Sequence, residues 1–217
     1  MKKSLGYFTL IILFFGIIST LNAQNFTDLD KSPMDAVILR NEDNSPLARL
    51  IYSRPFRRNR TIFGELVPYG EVWRTGANET TEIRFYEHCL INGKPVRKGT
   101  YGLFSIPNEE EWILILNEEH QGWGAYNYNA DADVFRFNLP AQQTATVVEQ
   151  FSISTRPADN GGYILMGWDD TFLRFKIEPD SSLFPTDNAT SANDEENVEE
   201  VEEEKKKKKR KKFLWIF

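Results

Sequence analysis

The chain has 217 residues, a length that suits one domain of ordinary size with tails. Its formal net charge of −6 at pH 7 argues against nucleic acid as a partner, because such binding depends on neutralising phosphates with basic side chains. Cys89 is the single cysteine, so the chain has no intramolecular disulfide and the domain must rest on its apolar core.

The N-terminus has the pattern of a secretory signal peptide. Two lysines precede an apolar run over residues 5–18, and a short polar segment ends at Ala23. We expect residues 1–23 to be removed, residues 24–35 to form a flexible lead-in, and the protein to cross the inner membrane to the periplasm or cell envelope. Leu21 is larger than the small residue preferred near a cleavage site, so an uncleaved anchor stays open as the alternative.

The stretch from 36 to 179 shows strands and turns and no sustained helical period. Asn92-Gly93 predicts a type I′ hairpin turn, because both residues tolerate a positive φ. Eight to ten short strands at this spacing predict an all-β domain, a single antiparallel β-sandwich that is jelly-roll-like. Strands are predicted at 47–54, from 80 onward, at 100–107, 112–116, 134–138, 147–155, 163–168 and 172–177.

Three local patterns within this stretch predict burial and turns. Cys89 falls in step with Ile83 and Phe85 on one face of an alternating run, which predicts a small buried residue rather than a reactive thiol. The run 112–116 is apolar on both faces, as expected of a central strand covered on each side. Asp169-Asp170 predicts a turn between two strands.

Beyond Pro179 the composition becomes polar and charged. Residues 180–217 are predicted to be a disordered tail, acidic and then basic. Eight basic residues, 205–212, precede five apolar residues, and together they predict weak, salt-sensitive contact of Lys205 to Phe217 with anionic membranes. The alternative is a solvated extension with no role, because the neighbouring acidic residues neutralise much of the attraction.

Four motifs support a resemblance to a known family. They are "YSRP" at 52–55, "RTIFGELVPYGEVWRTGANE" at 60–79, "INGKPVRKGTYGLFSIP" at 91–107, and "EEWILILN" followed by "WGAYNY". With these motifs, residues 32–179 resemble the secreted bacterial domain-of-unknown-function family 2911 (DUF2911). The resemblance implies an envelope-directed, mainly β domain and supplies no catalytic residues.

The segment 67–79 carries the candidate chemistry. Pro68 fixes φ, and Gly70 and Gly76 permit tight bends, so one rigid loop can present aromatic and polar side chains at one end of the sheet. Flat aromatics beside a guanidinium, an amide and a carboxylate suit a polar small molecule such as a sugar. The predicted ligand-binding residues are Arg54, Tyr69, Trp73, Arg74, Asn78, Glu79, Trp123 and Tyr126.

Within this composite site we expect Trp73 and Arg74 to contact residues 123–126. A structural interpretation stays open, in which Tyr69 and Trp73 plug the open end of the sandwich while Arg74 and Glu79 pair internally. The neighbouring arginines 57, 58 and 60 belong to an Arg cluster that suits planar anions, but their predicted place in an exposed hairpin favours a solvated face.

Metal and acid–base candidates are weak. Asn129, Asp131 and Asp133 are spaced like the first calcium ligands of an EF-hand, but the glycine at the sixth position and the final glutamate are missing, so no metal or cofactor is predicted. His88 is expected on an outer strand face and His120 in a polar turn, and neither has a neighbour at metal-ligand spacing.

The sequence therefore predicts a non-catalytic module that binds a small ligand or glycan. One alternative is a glycan-acting enzyme with Glu79 or Asp133 as its acid/base, which would need a carboxylate in a closed pocket rather than an open aromatic platform. Another alternative is a purely structural domain whose tail associates with membranes.

Overall fold

The computed structural model describes residues 26–184. The predicted signal peptide and almost all of the predicted tail, including its proposed membrane contact, lie outside these residues. The chain divides into a unit that ends at Asp30 and a unit that begins at Lys31, and every strand given below belongs to the second unit. Within the described residues, no helix is both long enough and apolar enough to cross a bilayer.

Residues 31–184 form two antiparallel sheets, which confirms the all-β prediction. One sheet has six strands in the order β1-β2-β3-β6-β7-β8, and the other has four in the order β5-β4-β10-β9. The strands are β1 (Met34–Arg40), β2 (Pro46–Ser53), β3 (Thr81–Phe85), β4 (Cys89–Ile91), β5 (Lys94–Val96), β6 (Gly99–Ile106), β7 (Glu111–Asn117), β8 (Asp133–Pro140), β9 (Gln142–Pro157) and β10 (Gly162–Pro179). A 3-10 turn at Ala130–Ala132 precedes β8.

The core contains apolar side chains from both sheets. Leu50, Ile83 and Leu114 from the six-stranded sheet belong to the same buried cluster as Phe175 and Ile177 from β10. Each such side chain contributes about 1.5–3 kcal/mol when it is fully buried. β7 is covered on both faces, as its sequence predicts, because a loop over residues 118–132 packs on the outer side of this sheet.

Two strands differ from the sequence-based expectation. β1 begins at Met34, inside the predicted lead-in, and pairs with β2 along its whole length. The two strands expected on either side of Asp169-Asp170 form the single strand β10. Asp169 has a φ of 55°, and the register shifts on both sides of it, so the aspartates form a bulge that bends the strand without ending it.

The alternating run through Cys89 is interrupted. β3 ends at Phe85, and Cys89 begins β4 in the other sheet, where its side chain is nevertheless fully buried. The expectation for His88 is wrong, because its side chain is buried rather than on an outer face. The backbone N–H of Lys98 donates to His88 Nδ1 over 3.1 Å, and the imidazole ring lies 5.1 Å from the ring of Phe184.

Candidate functional site

Residues 54–80 connect β2 to β3 without forming a named strand, and we call them the motif segment. The segment inserts Trp73 between the two sheets, where the side chain is 8% exposed. Its ring lies 6.0 Å from Trp112 of β7, 5.3 Å from Phe151 of β9 and 6.0 Å from Trp168 of β10. The indole N–H donates to the Gly76 carbonyl over 3.0 Å. Trp73 therefore belongs to the core.

Backbone hydrogen bonds fix the motif segment against β6. Trp73 and Ser105 exchange two N–H to carbonyl bonds of 2.8 and 2.9 Å, and the Gly70 N–H donates to the Pro107 carbonyl over 2.9 Å. The buried hydroxyl of Thr75 also donates to the Ser105 hydroxyl over 2.9 Å. These contacts hold the segment in one conformation. Breaking any of these hydrogen bonds would leave a buried backbone group without a partner, which costs free energy.

The motif segment also positions the loop 118–132. The Thr80 N–H donates to the Gly122 carbonyl, and the Gly124 N–H donates to the Asn78 carbonyl, each over 2.9 Å. Asn78 has a φ of 58°, in the left-handed region that asparagine tolerates better than most residues. Glu79 and Trp123 consequently face each other as a backbone pair, so the two stretches that share aromatic and glycine density do meet.

Arg54 has a structural place. Its Nη1 atom lies 3.0 Å from Asp35 Oδ2, its Nε–H donates to the Phe151 carbonyl over 3.2 Å, and its Nη2–H donates to the Ser152 hydroxyl over 2.8 Å. These bonds join β1 of one sheet to β9 of the other. Three of the five N–H donors of Arg54 are thus engaged within the protein, and its charge is paired with that of Asp35.

Arg74 lies against the loop 118–132, as expected. A Cβ atom built on Gly124 would be 3.4 Å from Arg74 Nη1 and 2.8 Å from the ring of Tyr126. The internal pair with Glu79, which belongs to the structural interpretation, is not formed. Within residues 26–184 Arg74 has no ion pair, and its Nε atom has no hydrogen-bond acceptor. Burial of the guanidinium lowers the pKa of Arg74 from its ordinary value.

A cleft of about 330 Å³ opens beside Arg74, and we call it the basic cleft. Four cationic side chains and no acidic side chain line it, and its apolar wall includes Phe56, Val67 and Trp168. The cationic residues are Lys31, Arg58, Arg60 and Arg74. The exposed arginines that the sequence assigns to a solvated face thus lie at a cavity, whereas Arg57 forms an ion pair with Asp169 at 2.7 Å.

A wider groove of about 470 Å³ lies between β2–β3 and the loop 118–132, and we call it the outer groove. Trp123 lines this groove and is 62% exposed. The polar side chains in the groove are Glu79, Glu82, His120 and Gln121. His120 Nδ1 lies 3.3 Å from Glu82 Oε2, an ion pair when the imidazole is protonated. Glu79 and Trp123, both predicted ligand residues, are therefore brought together.

Tyr69 and Tyr126 lie apart from the outer groove. Tyr69 lines a third cavity of about 300 Å³ with Glu109 and Asp170, and burial, followed by the charge of Glu109, raises the pKa of its phenol. Tyr126 is 83% exposed beside Arg74. The structure therefore does not bring the eight predicted residues together in one site. Trp73 lies in the core, Arg74 at the basic cleft, Glu79 and Trp123 at the outer groove, and Tyr69 at this third cavity.

A family model described as "Protein of unknown function (DUF2911)" matches residues 32–177, more than half of the chain. The chain belongs to this family. No curated protein and no solved structure gave a match. The outer groove and the three arginines of the basic cleft lie inside the DUF2911 match, while Lys31 immediately precedes it.

Asp133, the other acid/base candidate, is held by three side chains of the DUF2911 domain. Its carboxylate accepts hydrogen bonds from the Tyr128 hydroxyl (2.6 Å), Arg136 Nε (2.8 Å) and Asn117 Nδ2 (2.7 Å). Burial, together with the hydrogen bond to Asp133, raises the pKa of Tyr128 to about 12. Within the described residues, no group of three or more His, Cys, Asp or Glu side chains is placed to hold a metal ion.

The thiol of Cys89 in the DUF2911 domain is expected to be inert in the folded protein. Burial raises the pKa of Cys89 to about 12, and only the thiolate reacts readily with disulfide reagents. An aromatic disulfide reagent at about pH 8, below the ordinary thiol pKa, should label no thiol in the native chain and one thiol per chain in guanidinium chloride. Rapid stoichiometric labelling of the native protein would contradict this placement.

Proposed function

We propose that the chain is a non-catalytic carbohydrate-binding module of the cell envelope and that the outer groove receives the glycan. The observation that carries the proposal is the exposure of Trp123 at the wall of this groove. A sugar ring has an apolar face of C–H groups that can pack on a flat aromatic ring. An exposed tryptophan ring therefore offers a sugar an apolar surface to bury.

The polar side chains of the groove suit the hydroxyl groups of a sugar. Carboxylates accept hydrogen bonds from hydroxyls, and the Gln121 amide both donates and accepts. Glu82 is already oriented by His120 and, at 3.8 Å, by Arg49. Glu79 makes no ion pair within residues 26–184, so its carboxylate is available to a ligand. The volume of about 470 Å³ lies within the range of small-molecule sites.

The geometry favours binding over hydrolysis. A glycosidase holds two carboxyl groups on either side of the scissile bond. In this chain the groove is open, and its second carboxylate, Glu82, lies against the basic side chains of His120 and Arg49. Asp133, the other carboxylate that the sequence offers, is engaged by a tyrosine, an arginine and an asparagine. The pattern of residues 1–23 agrees with an envelope location, which belongs to the same proposal.

Isothermal titration with neutral tetrasaccharides tests the proposal. The probes are cellotetraose, xylotetraose, mannotetraose and chitotetraose, and the protein is the chain beginning at Gln24, as secretion would release it. We expect at least one probe to bind and Trp123→Ala to weaken it at least about tenfold, a loss of about 1.4 kcal/mol. Tyr126→Ala is the matched control, because Tyr126 is an exposed aromatic outside the groove, and it should leave the affinity unchanged.

Two results would contradict the proposal. Either none of the tetrasaccharides binds, or Trp123→Ala and Tyr126→Ala weaken binding equally, which would place the sugar elsewhere. Chromatography of the probes after prolonged incubation separates binding from catalysis. The proposal predicts unchanged tetrasaccharides, and shortened products would instead support the enzyme alternative.

A further inference from the structure

We propose that the basic cleft binds the carboxylate or phosphate group of a small organic anion, with Arg74 as its principal contact. This site is a separate cavity from the outer groove and does not depend on the carbohydrate proposal. Its ligand class follows from the charge, the burial and the hydrogen-bonding capacity of the residues that line it.

The basic cleft concentrates positive charge on an acidic protein. The chain as a whole is acidic, with a net charge of −6, yet the basic cleft has four cationic residues and no acidic residue in its lining. Two carboxylates that contact the segment 57–58 are already engaged. Asp169 pairs with Arg57 at 2.7 Å, and Glu149 accepts the backbone N–H of Arg58 over 2.9 Å. The mutual repulsion of the cations is therefore not offset by a carboxylate within the cleft, and a bound anion would offset it.

Arg74 is half-buried and lacks a counter-ion within residues 26–184. A half-buried guanidinium without a counter-ion is costly, because part of its hydration is lost and no charge replaces it. Within residues 26–184 its Nε atom has no acceptor. The planar fork of a guanidinium matches the two oxygens of a carboxylate or phosphate, so an oxyanion would supply the missing acceptors and the missing charge together.

The basic cleft is partly preorganised for a ligand. The Arg60 guanidinium is held by two backbone carbonyls, since Nε–H donates to Arg57 over 2.9 Å and Nη2–H donates to Phe56 over 2.6 Å. Fixing this side chain before binding reduces the entropy that a ligand would otherwise have to offset. Trp168 adds an unused donor, because its side chain lines the cleft, is 2% exposed, and has an indole nitrogen without an acceptor within residues 26–184.

The size of the cleft selects a small ligand. A volume of about 330 Å³ is at the lower end of the range for ligand sites, which suits one small molecule rather than a polymer. The apolar wall of Phe56, Val67 and Trp168 can pack against the carbon skeleton of an organic anion, while the arginines contact its charged end.

Titration calorimetry of the chain beginning at Gln24 tests this site with two probes, citrate and inorganic phosphate, at about 0.15 M salt, where exposed charges are largely screened. Arg74→Met keeps an apolar side chain of similar length, and we expect it to weaken the better probe at least about tenfold. Arg174→Met is the matched control. It removes the same charge from β10 at an exposed position over the ring of Tyr163, and it should leave the affinity unchanged.

The remaining variants separate the possible outcomes. Arg74→Lys keeps the charge but loses the fork, so it should bind citrate more weakly than the wild type and more tightly than Arg74→Met. Should Arg74→Met fail to fold, Arg60→Met provides the same test with the same expected direction. Trp123→Ala should leave anion binding intact, which distinguishes this site from the outer groove. No binding of either probe, or equal losses in Arg74→Met and Arg174→Met, would overturn the proposal.

Discussion

Replacement of Trp73 by alanine is expected to lower the free energy of unfolding by about 3–5 kcal/mol. The indole lies at the centre of an aromatic cluster that joins the motif segment to β7, β9 and β10, with ring centroids 5.3–6.1 Å away. Its removal leaves a cavity between the two sheets and also loses the N–H bond to Gly76. Neighbouring side chains fill the space only in part, because strands hold most of them.

Thermal and chemical denaturation measure this effect. For a domain of this size the expected loss corresponds to a melting temperature lower by about 6–20 °C. Trp123→Ala is the matched control, since the same substitution at an exposed position should change stability by about 0.5 kcal/mol or less. Comparable losses in the two variants, or a stable Trp73→Ala protein, would show that Trp73 is not part of the core.

Replacement of Gly161 by alanine is the second substitution with a large expected effect. Gly161 lies in the turn between β9 and β10 with a φ of 100°. A Cβ atom built there would lie 2.1 Å from the carbonyl oxygen of Ile177. The positive φ alone costs about 1–2 kcal/mol for a residue with a side chain. Because the overlapping atom belongs to the backbone of β10, the strand itself must shift, and the total loss should exceed this value.

Gly93→Ala isolates the steric part of the Gly161 effect. Gly93 also has a positive φ, 79°, but a Cβ atom there would meet nothing within 4 Å. We therefore expect Gly93→Ala to lose only the conformational contribution, about 1–2 kcal/mol, and Gly161→Ala to lose clearly more in the same urea titration. Equal losses would mean that the turn at Gly161 does not pack against Ile177 in solution.

Strands and turns could be predicted where the signal is local. The positive φ angles of Asn92 and Gly93 follow from residue types that tolerate them, and β3 and β7 follow from their apolar patterns. Asp169 shows where local signals fail. Consecutive aspartates are typical of turns, but here a positive φ is accommodated by a bulge, because the neighbouring strand β9 continues the pairing on both sides.

The candidate site depends on contacts between distant residues, and the sequence predicts these poorly. Trp73 and Trp123 both lie in glycine-rich loops, so their local sequences look alike. Trp73 is buried because it packs against β7, β9 and β10, whereas Trp123 is exposed. Lys31 and Trp168 in the basic cleft carry no local motif that would join them to Arg74. The sequence prediction missed His120 and Gln121 of the outer groove. Their place in a polar stretch just before Trp123 is the signal that could have identified them.

The central claim is that the motif segment helps to form two separate ligand sites, and the indole N–H signals of ¹⁵N-labelled protein test it most directly. The chain has five tryptophans, so each signal can be assigned by a single Trp→Phe variant. A tetrasaccharide should shift the signal of Trp123 and leave that of Trp168 in place, whereas citrate should shift Trp168 and leave Trp123 in place. Shifts of neither signal, or of both signals by the same ligand, would contradict the assignment of two sites.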